Sequence, residues 1–404
     1  MIYFVVLILL IILSFRYDFR RELENKDFWF NVVIVVMVLI AGLRYRLGGD
    51  TINYLRFFYH EIPSLDSAYW SEFYMGAYEP LYVLLNAFVK YIGCKFFIVQ
   101  LICASITNSL ILLYFKKHSE YPFACAIVFF VWSFFFVNFE ELRAGISVAI
   151  CLYANDFIVK KQFLRGIVLV VVSGLFHYSS IVLIITPLLL NLRFNKVGIL
   201  FLLTVFVSGV IIKNQLESFM MSLDFLGDRI SGRGTRYFGK EAGEHNIFYY
   251  IFDIGVLFFY SLFSFKYIKR LKIDSSIRYI EPFIMIGLSF VMLKSNIPIL
   301  YRYVRFYEPY FIILFTYCFF EMIKRSKQLS IGISCMRSLL FFVPFFYTIT
   351  SYYKTQVLES IDIVKHYNYE KYYPYASVIE KSIDERRERF YNSIGGDKMI
   401  KNEY

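Results

Sequence analysis

The chain has 404 residues, of which 58% are hydrophobic and 21% aromatic, and its mean hydropathy is +0.54. Those values exclude an ordinary soluble domain, and apolar runs that are continuous, not alternating, exclude an outer-membrane barrel. The formal charge of +11 would suit nucleic acid in a soluble protein, but here the basic residues lie in short loops between apolar runs. The positive-inside tendency and anionic headgroups account for that pattern, so membrane lipids and no nucleic acid are the expected partners.

The N-terminus, Met1-Ile2-Tyr3, runs directly into Leu9-Leu10-Ile11 with neither a basic leader nor a small-residue cleavage site. A retained first helix is expected. Apolar segments follow at 1–15, 28–43, 80–94, 96–115, 122–138, 142–159, 163–191, 197–212, 245–265, 279–294, 304–323 and 333–350. A crossing needs roughly 20 residues, with about 17 the usual lower end. All basic clusters, from Arg16–Lys26 to Lys324–Arg337, fall on one side if 80–94 is re-entrant and 163–191 splits near Gly174 and His177. The expectation is an all-α, polytopic integral membrane protein with about 12 transmembrane helices (about 11 to 13) and both termini outside. Residues 1–350 read as one membrane domain with a long outward loop at 213–244, and 351–404 as a tyrosine-rich, charged tail. Cysteines 94, 103, 125, 151, 318 and 335 have no paired spacing and read as small buried hydrophobes.

The polar groups left on the outward face carry the chemistry. Leu43 to Phe57 reads L-R-Y-R-L-G-G-D-T-I-N-Y-L-R-F, directly after the uncharged run Asn31–Gly42. Arg44 and Arg46 are snorkelling anchors or anion ligands. Gly48-Gly49 supplies a tight turn, and Asp50 can cap the helix starting at Thr51 or act as a base, but not easily both. Asn53, Tyr54 and Arg56 suit a sugar.

Further along, Glu79-Pro80 opens a helix, with Glu79 a cap or a general base. Arg143 follows Glu140 and Glu141 at the start of an apolar segment, so it either pairs with a neighbouring carboxylate on its own helix or faces a ligand phosphate. His177 is the histidine inside an apolar stretch, a hydrogen-bonded structural group or a proton carrier. The loop at 213–244 holds Arg233 and Arg236 among glycines, a weak anion motif. Arg302 and Arg305, three apart and rimmed by Tyr301, Tyr303 and Tyr307, form an interfacial girdle or a second wall of a polyanion and sugar site. No ligand-spaced His, Cys or carboxylate cluster is present in the sequence, so neither a metal nor another cofactor is expected.

Taken in order, A-G-L-R-Y-R-L-G-G-D-T-I-N-Y at 41–54, E-L-R-A-G-I-S-V-A at 141–149, G-L-F-H-Y-S-S at 174–180, Tyr301–Tyr310 and Tyr373-Pro374-Tyr375 resemble the EpsG family of Wzy-like polysaccharide polymerases. The resemblance implies a glycosyltransferase of the bacterial cytoplasmic membrane, acting on its outward face in capsule, O-antigen or exopolysaccharide synthesis. It implies an undecaprenyl-diphosphate-linked oligosaccharide as substrate, a chain-length regulator and a Wzx-type flippase as partners, and no nucleotide sugar or metal. Arg44 and Asp50 match the family's first loop, Arg143 its central-helix arginine and His177 its histidine. On that reading Arg143 and Arg44 bind the diphosphate, with Arg302 or Arg305 assisting, and Glu79 or His177 serves as base.

A lipid-linked glycan ligase would use the same groups and differ only in its product. A polysaccharide-lipid transporter should show inverted repeats or polar groups at mid-membrane, and neither is evident. A membrane acyltransferase would rest on His177 alone.

Overall fold

The computed structural model describes residues 2–71, 78–222, 247–270, 277–294, 297, 300–326 and 371–381. Its elements are helical throughout, apart from one isolated antiparallel bridge between Arg44 and Ser377. In order they are α1 (Ile2–Ser14, continued by a π turn Phe15–Phe19), α2 (Lys26–Gly42), α3 (Thr51–Arg56, continued by a π turn Phe57–Glu61) and α4 (Pro80–Tyr91). Next come α5 (Phe96–His118), α6 (Pro122–Trp132), a π turn Phe136–Glu140, α7 (Leu142–Val159), α8 (Phe163–Phe176), a 3-10 segment Tyr178–Ile185 and α9 (Thr186–Leu189). The series ends with α10 (Lys196–Ser222), α11 (Ile247–Arg270), α12 (Glu281–Lys294), α13 (Tyr301–Val304) and α14 (Glu308–Ser326).

The expected count of about 12 crossings is corrected by these lengths. Among the described residues, three helices are long and apolar enough to cross a membrane: Ile2–Phe19, Phe96–His118 and Leu142–Val159. Pro122–Trp132, Phe163–Phe176, Tyr178–Leu189 and Lys196–Ile212 are apolar but shorter. The 122–138 run is interrupted after Trp132 by a turn, and 163–191 breaks at His177, whose backbone is extended (φ −156°, ψ 109°). At 12 residues, α4 is likewise short of a span. Continuous hydropathy does not register where a helix ends. The run 333–350 lies outside the described residues.

The chain divides into two compact units, one made of 1–184 with 349–404 and one of 185–348. In the first, α7 packs on α5 and α8 and is buried along most of its length. Ser147 and Ser173 exchange hydrogen bonds with each other's carbonyls (2.8 and 3.1 Å), and Gly166 lets α8 close to the point where a Cβ would meet Ile158 Cγ1 at 2.5 Å. Buried Asn108 on α5 and Asn138 on the 136–140 turn bond reciprocally (2.7 and 3.2 Å), which fixes the turn preceding α7. Lys90, the charge inside the expected re-entrant segment, donates to the carbonyls of Phe58 (3.1 Å), Tyr59 (3.4 Å) and Ile62 (2.8 Å). It thereby closes the C-terminal end of the 51–61 helix against α4. α1 turns Phe4, Val5, Ile8, Ile11 and Ile12 outward, an apolar face suited to lipid.

In the second unit, α12 is buried on nearly all sides; Phe283 stacks on Tyr310 of α14 at 4.5 Å and Phe290 on Tyr303 of α13 at 5.2 Å. Glu281 accepts from the Phe194 N–H at 2.7 Å, tying the start of α12 to the turn before α10.

Candidate active site

Three of the sequence candidates meet in the first unit. Glu79 stands at the N-terminal boundary of α4 in extended conformation (φ −71°, ψ 148°), and its carboxylate makes no capping bond to its own helix. One oxygen, Oε2, accepts from Arg143 Nη1. The other, Oε1, accepts from His177 Nδ1 at 3.1 Å and from the Tyr178 N–H at 3.3 Å. The side chains of Arg143, Glu79 and His177 are 21%, 6% and 12% exposed, so the cluster is secluded but open at the arginine. These groups come from α4, the first turn of α7 and the end of α8, and the packing of α7 with α8 and of α4 with α8 brings them together.

Burial pushes Glu79 up, yet the His177 hydrogen bond and the Arg143 charge outweigh it and hold the carboxyl at about 2. Glu79 is therefore ionised and can only accept. Nδ1 must then donate in that bond, which leaves Nε2 for another partner; among the described residues none bonds that atom. Arg143 Nε is buried without a hydrogen-bond partner, while the guanidinium lies 4.5 Å from the Tyr78 ring centre and near 6 Å from Tyr54 (6.0 Å) and Tyr82 (5.9 Å). Tyr78 itself is edge-on to Phe57 at 4.3 Å. The result is an arginine held by a carboxylate and walled by aromatics.

Arg143 thus pairs with the carboxylate 64 residues earlier and not with its sequence neighbour Glu140. Buried Glu140 accepts from the N–H groups of Gly49 (2.9 Å) and Asp50 (3.0 Å) and from Tyr372 Oη (2.7 Å). It anchors the turn ahead of α3, while the side chain of Asp50 makes no capping bond and accepts instead from Asn53 Nδ2 at 3.4 Å. Gly48 is dictated by this docking. Its φ is +100°, and a Cβ there would stand 2.2 Å from the Phe139 carbonyl oxygen. Asp50 keeps a solvent-facing edge, but protein closing round it, together with the Glu140 and Glu141 charges, raises its carboxyl to about 6. Buried Tyr54 donates to the Glu140 carbonyl at 3.2 Å, placing its ring beside Arg143.

Arg44 is fully buried and donates to the carbonyls of Ala41 and Leu47 (3.2 Å to the latter), with its guanidinium 4.8 Å over the Phe139 ring. Those bonds close the end of α2. Arg46 is buried with φ +49°, an uncommon value for a side-chain-bearing residue. Glu141 occupies the N-terminal boundary of α7. In the second unit, Arg305 donates to Glu308 at 2.5 Å and both are buried, while Arg302 lies 5.9 Å from the Tyr301 ring centre. Arg233 and Arg236 lie outside the described residues, as does most of the loop assigned to 213–244; α10 extends through its start to Ser222.

Tyr78, Tyr82 and Tyr372 were not singled out from the sequence. The first two flank Glu79-Pro80, Tyr78 ahead of α4 and Tyr82 in its first turn, and that aromatic bracket was the available signal. Tyr372 belongs to the Tyr372-Tyr373-Pro374-Tyr375 run of the segment read from the sequence as a tyrosine-rich, charged tail.

The EpsG family profile matches residues 27–377, which takes in α2 to α14 and the bridge to Ser377. Comparison with curated proteins and with solved structures finds no match. The match covers most of the chain and includes Glu79, Arg143 and His177, and the chain accordingly belongs to the EpsG family of Wzy-like polysaccharide polymerases.

Proposed function

We propose that the protein lengthens a polysaccharide on the outward face of the bacterial cytoplasmic membrane, by moving a growing glycan from undecaprenyl diphosphate to a hydroxyl of a lipid-linked repeat unit. The Arg143–Glu79–His177 cluster carries this reading. The acceptor hydroxyl attacks the anomeric carbon of the donor and gives its proton to His177 Nε2. The bond from that carbon to the diphosphate oxygen breaks as the new glycosidic bond forms, and undecaprenyl diphosphate leaves with an added negative charge. Arg143, the most exposed member of the cluster, meets that charge. Glu79 keeps Nδ1 protonated and the imidazole oriented, the part a carboxylate plays behind a histidine base. With its carboxyl held at about 2, Glu79 is too weak a base to take the proton itself. Arg44, spent on backbone carbonyls, is assigned a structural part in this scheme.

The test is the lipid-linked glycan profile of cells lacking the protein, complemented by wild type, Arg143→Ala or His177→Gln. Wild type is expected to restore a ladder of long chains. Each variant is expected to leave single repeat units, with a loss of roughly 100-fold or more in rate. A normal ladder in the uncomplemented cells, with chains retained on their carrier, would refute the polymerase and favour a ligase. Ladders of wild-type intensity from both variants would remove the cluster from the chemistry.

A further inference from the structure

The segment 371–381, distant in sequence, is laid along the loop that follows α2. Tyr45 N–H donates to Ala376 O (2.8 Å), Val378 N–H to Leu43 O (2.9 Å) and Gly48 N–H to Lys371 O (2.9 Å). Tyr375 Oη donates to Ile40 O (3.2 Å), and Tyr3 Oη of α1 donates to Tyr372 O (2.9 Å). The Tyr372 ring packs between Phe135 (5.5 Å) and Phe139 (5.9 Å), which aims its hydroxyl at Glu140. That carboxylate is buried with three donors: Tyr372 Oη and the N–H groups of Gly49 and Asp50.

We infer that Tyr372 is a positioning residue of the active site, acting through Glu140 to hold the turn 48–50 and, behind it, Asp50 and Tyr54 beside Arg143. The physical reason is a shared acceptor. A buried carboxylate keeps its charge only while its lone pairs are met, and the phenol meets one of them from outside the turn. Without it the carboxylate draws water or shifts, and the two N–H groups lose a fixed acceptor. Glu140 is also joined through its carbonyl to Tyr54 and precedes Arg143 by three residues, so movement there reaches the wall beside the arginine first. Tyr373, half exposed and without a hydroxyl bond in the described set, is the neighbouring control. The kinetic consequence rests on the polymerase reading; the strap geometry does not.

The experiment uses the purified full chain in detergent, wild type against Tyr372→Phe, Tyr373→Phe and Glu140→Gln, the last placing an amide NH2 against one of the turn's N–H groups. Amide hydrogen exchange at Gly49 and Asp50 is expected to accelerate about tenfold in Tyr372→Phe and in Glu140→Gln, as loss of a bond to a charged acceptor implies, and not in Tyr373→Phe. With repeat units isolated from the deletion strain, Tyr372→Phe should raise the apparent KM about tenfold with kcat within about twofold, because the perturbed turn shapes the wall that binds substrate beside Arg143 and leaves Arg143 and His177 themselves in place. Unchanged exchange in Tyr372→Phe overturns the inference. So does faster exchange with unchanged KM, which would make the strap purely structural. If wild type extends no chains, the polymerase reading fails by itself, and the exchange arm alone then decides whether the strap holds the turn.

Discussion

Replacing Glu79 by glutamine removes one charge from between two partners and changes little in shape. Its carboxyl is held at about 2 against an ordinary value of 4.5, which corresponds to about 3 kcal/mol favouring the charged native form. Since the native value is depressed, that stabilisation is fully present above pH 4.5 and is lost as the pH falls through about 2. Glu79→Gln is therefore expected to cost about 3 kcal/mol at neutral pH, the lower end of what breaking one side of a buried ion pair costs. It should also flatten the acid limb of the stability profile. Reversible unfolding in mild detergent, followed by tryptophan fluorescence from pH 7 to pH 2, measures both quantities. Glycan laddering measures the third consequence, loss of chain extension as His177 loses its anionic partner. A variant with wild-type stability at pH 7 and an unchanged acid limb would refute the electrostatic account of the cluster, whatever its activity.

Two further substitutions separate the turn from the chemistry. Gly48→Ala combines a left-handed φ of +100° with a Cβ 2.2 Å from the Phe139 carbonyl. It is expected to lower stability by more than about 1 kcal/mol and to speed exchange at Gly49 and Asp50, both readable on the purified chain. Asp50→Asn should stabilise the protein at pH 7, because a carboxyl raised to about 6 is a charge the native state disfavours. The gain should shrink as the pH falls through about 6 and vanish below the ordinary value of 3.8, where native and unfolded forms are both protonated. Equal stability of variant and wild type from pH 8 to pH 4 would contradict the crowding of Asp50 by Glu140 and Glu141.

The site was legible in the sequence residue by residue but not as a pairing. A charge opening an apolar run drew attention to Arg143, a Glu-Pro helix start to Glu79 and a histidine inside an apolar stretch to His177, alongside Arg44, Asp50, Arg302 and Arg305. Helical spacing then suggested Glu140 for Arg143, because i,i+3 neighbours share a face. Residues 136–140 form a π turn that ends before α7 begins, so Glu140 and Arg143 do not sit on one regular helix. Glu140 is drawn instead to the N–H groups of a turn 90 residues earlier. Nothing local records a contact over that separation. The helix count failed for a related reason. The 3-10 segment Tyr178–Ile185 is as apolar as a span, and a hydropathy window does not register its change of winding. Aromatic residues were the least legible. Tyr78, Tyr82 and Tyr372 sit in a chain with 35 tyrosines, and only the fold distinguishes those around Arg143 and Glu140 from those at an interface.

The Glu79–Arg143 pair also bears on why the site is built as it is. A buried ion pair returns little net stability relative to well-packed apolar residues, since the desolvation of both ions offsets their attraction. Removing one partner is costly, but removing both is not. The double variant Glu79→Leu with Arg143→Met should therefore recover most of the roughly 3 kcal/mol lost in Glu79→Gln, as the tyrosine wall of Tyr54, Tyr78 and Tyr82 closes on an apolar side chain. It should nevertheless extend no chains. Stability and activity would then part company at the same two positions, which is the mark of a charge pair kept for chemistry. If the double variant unfolds as readily as the single one, the pair is a structural necessity, and the case for Arg143 as the group that meets the leaving diphosphate loses its main physical support.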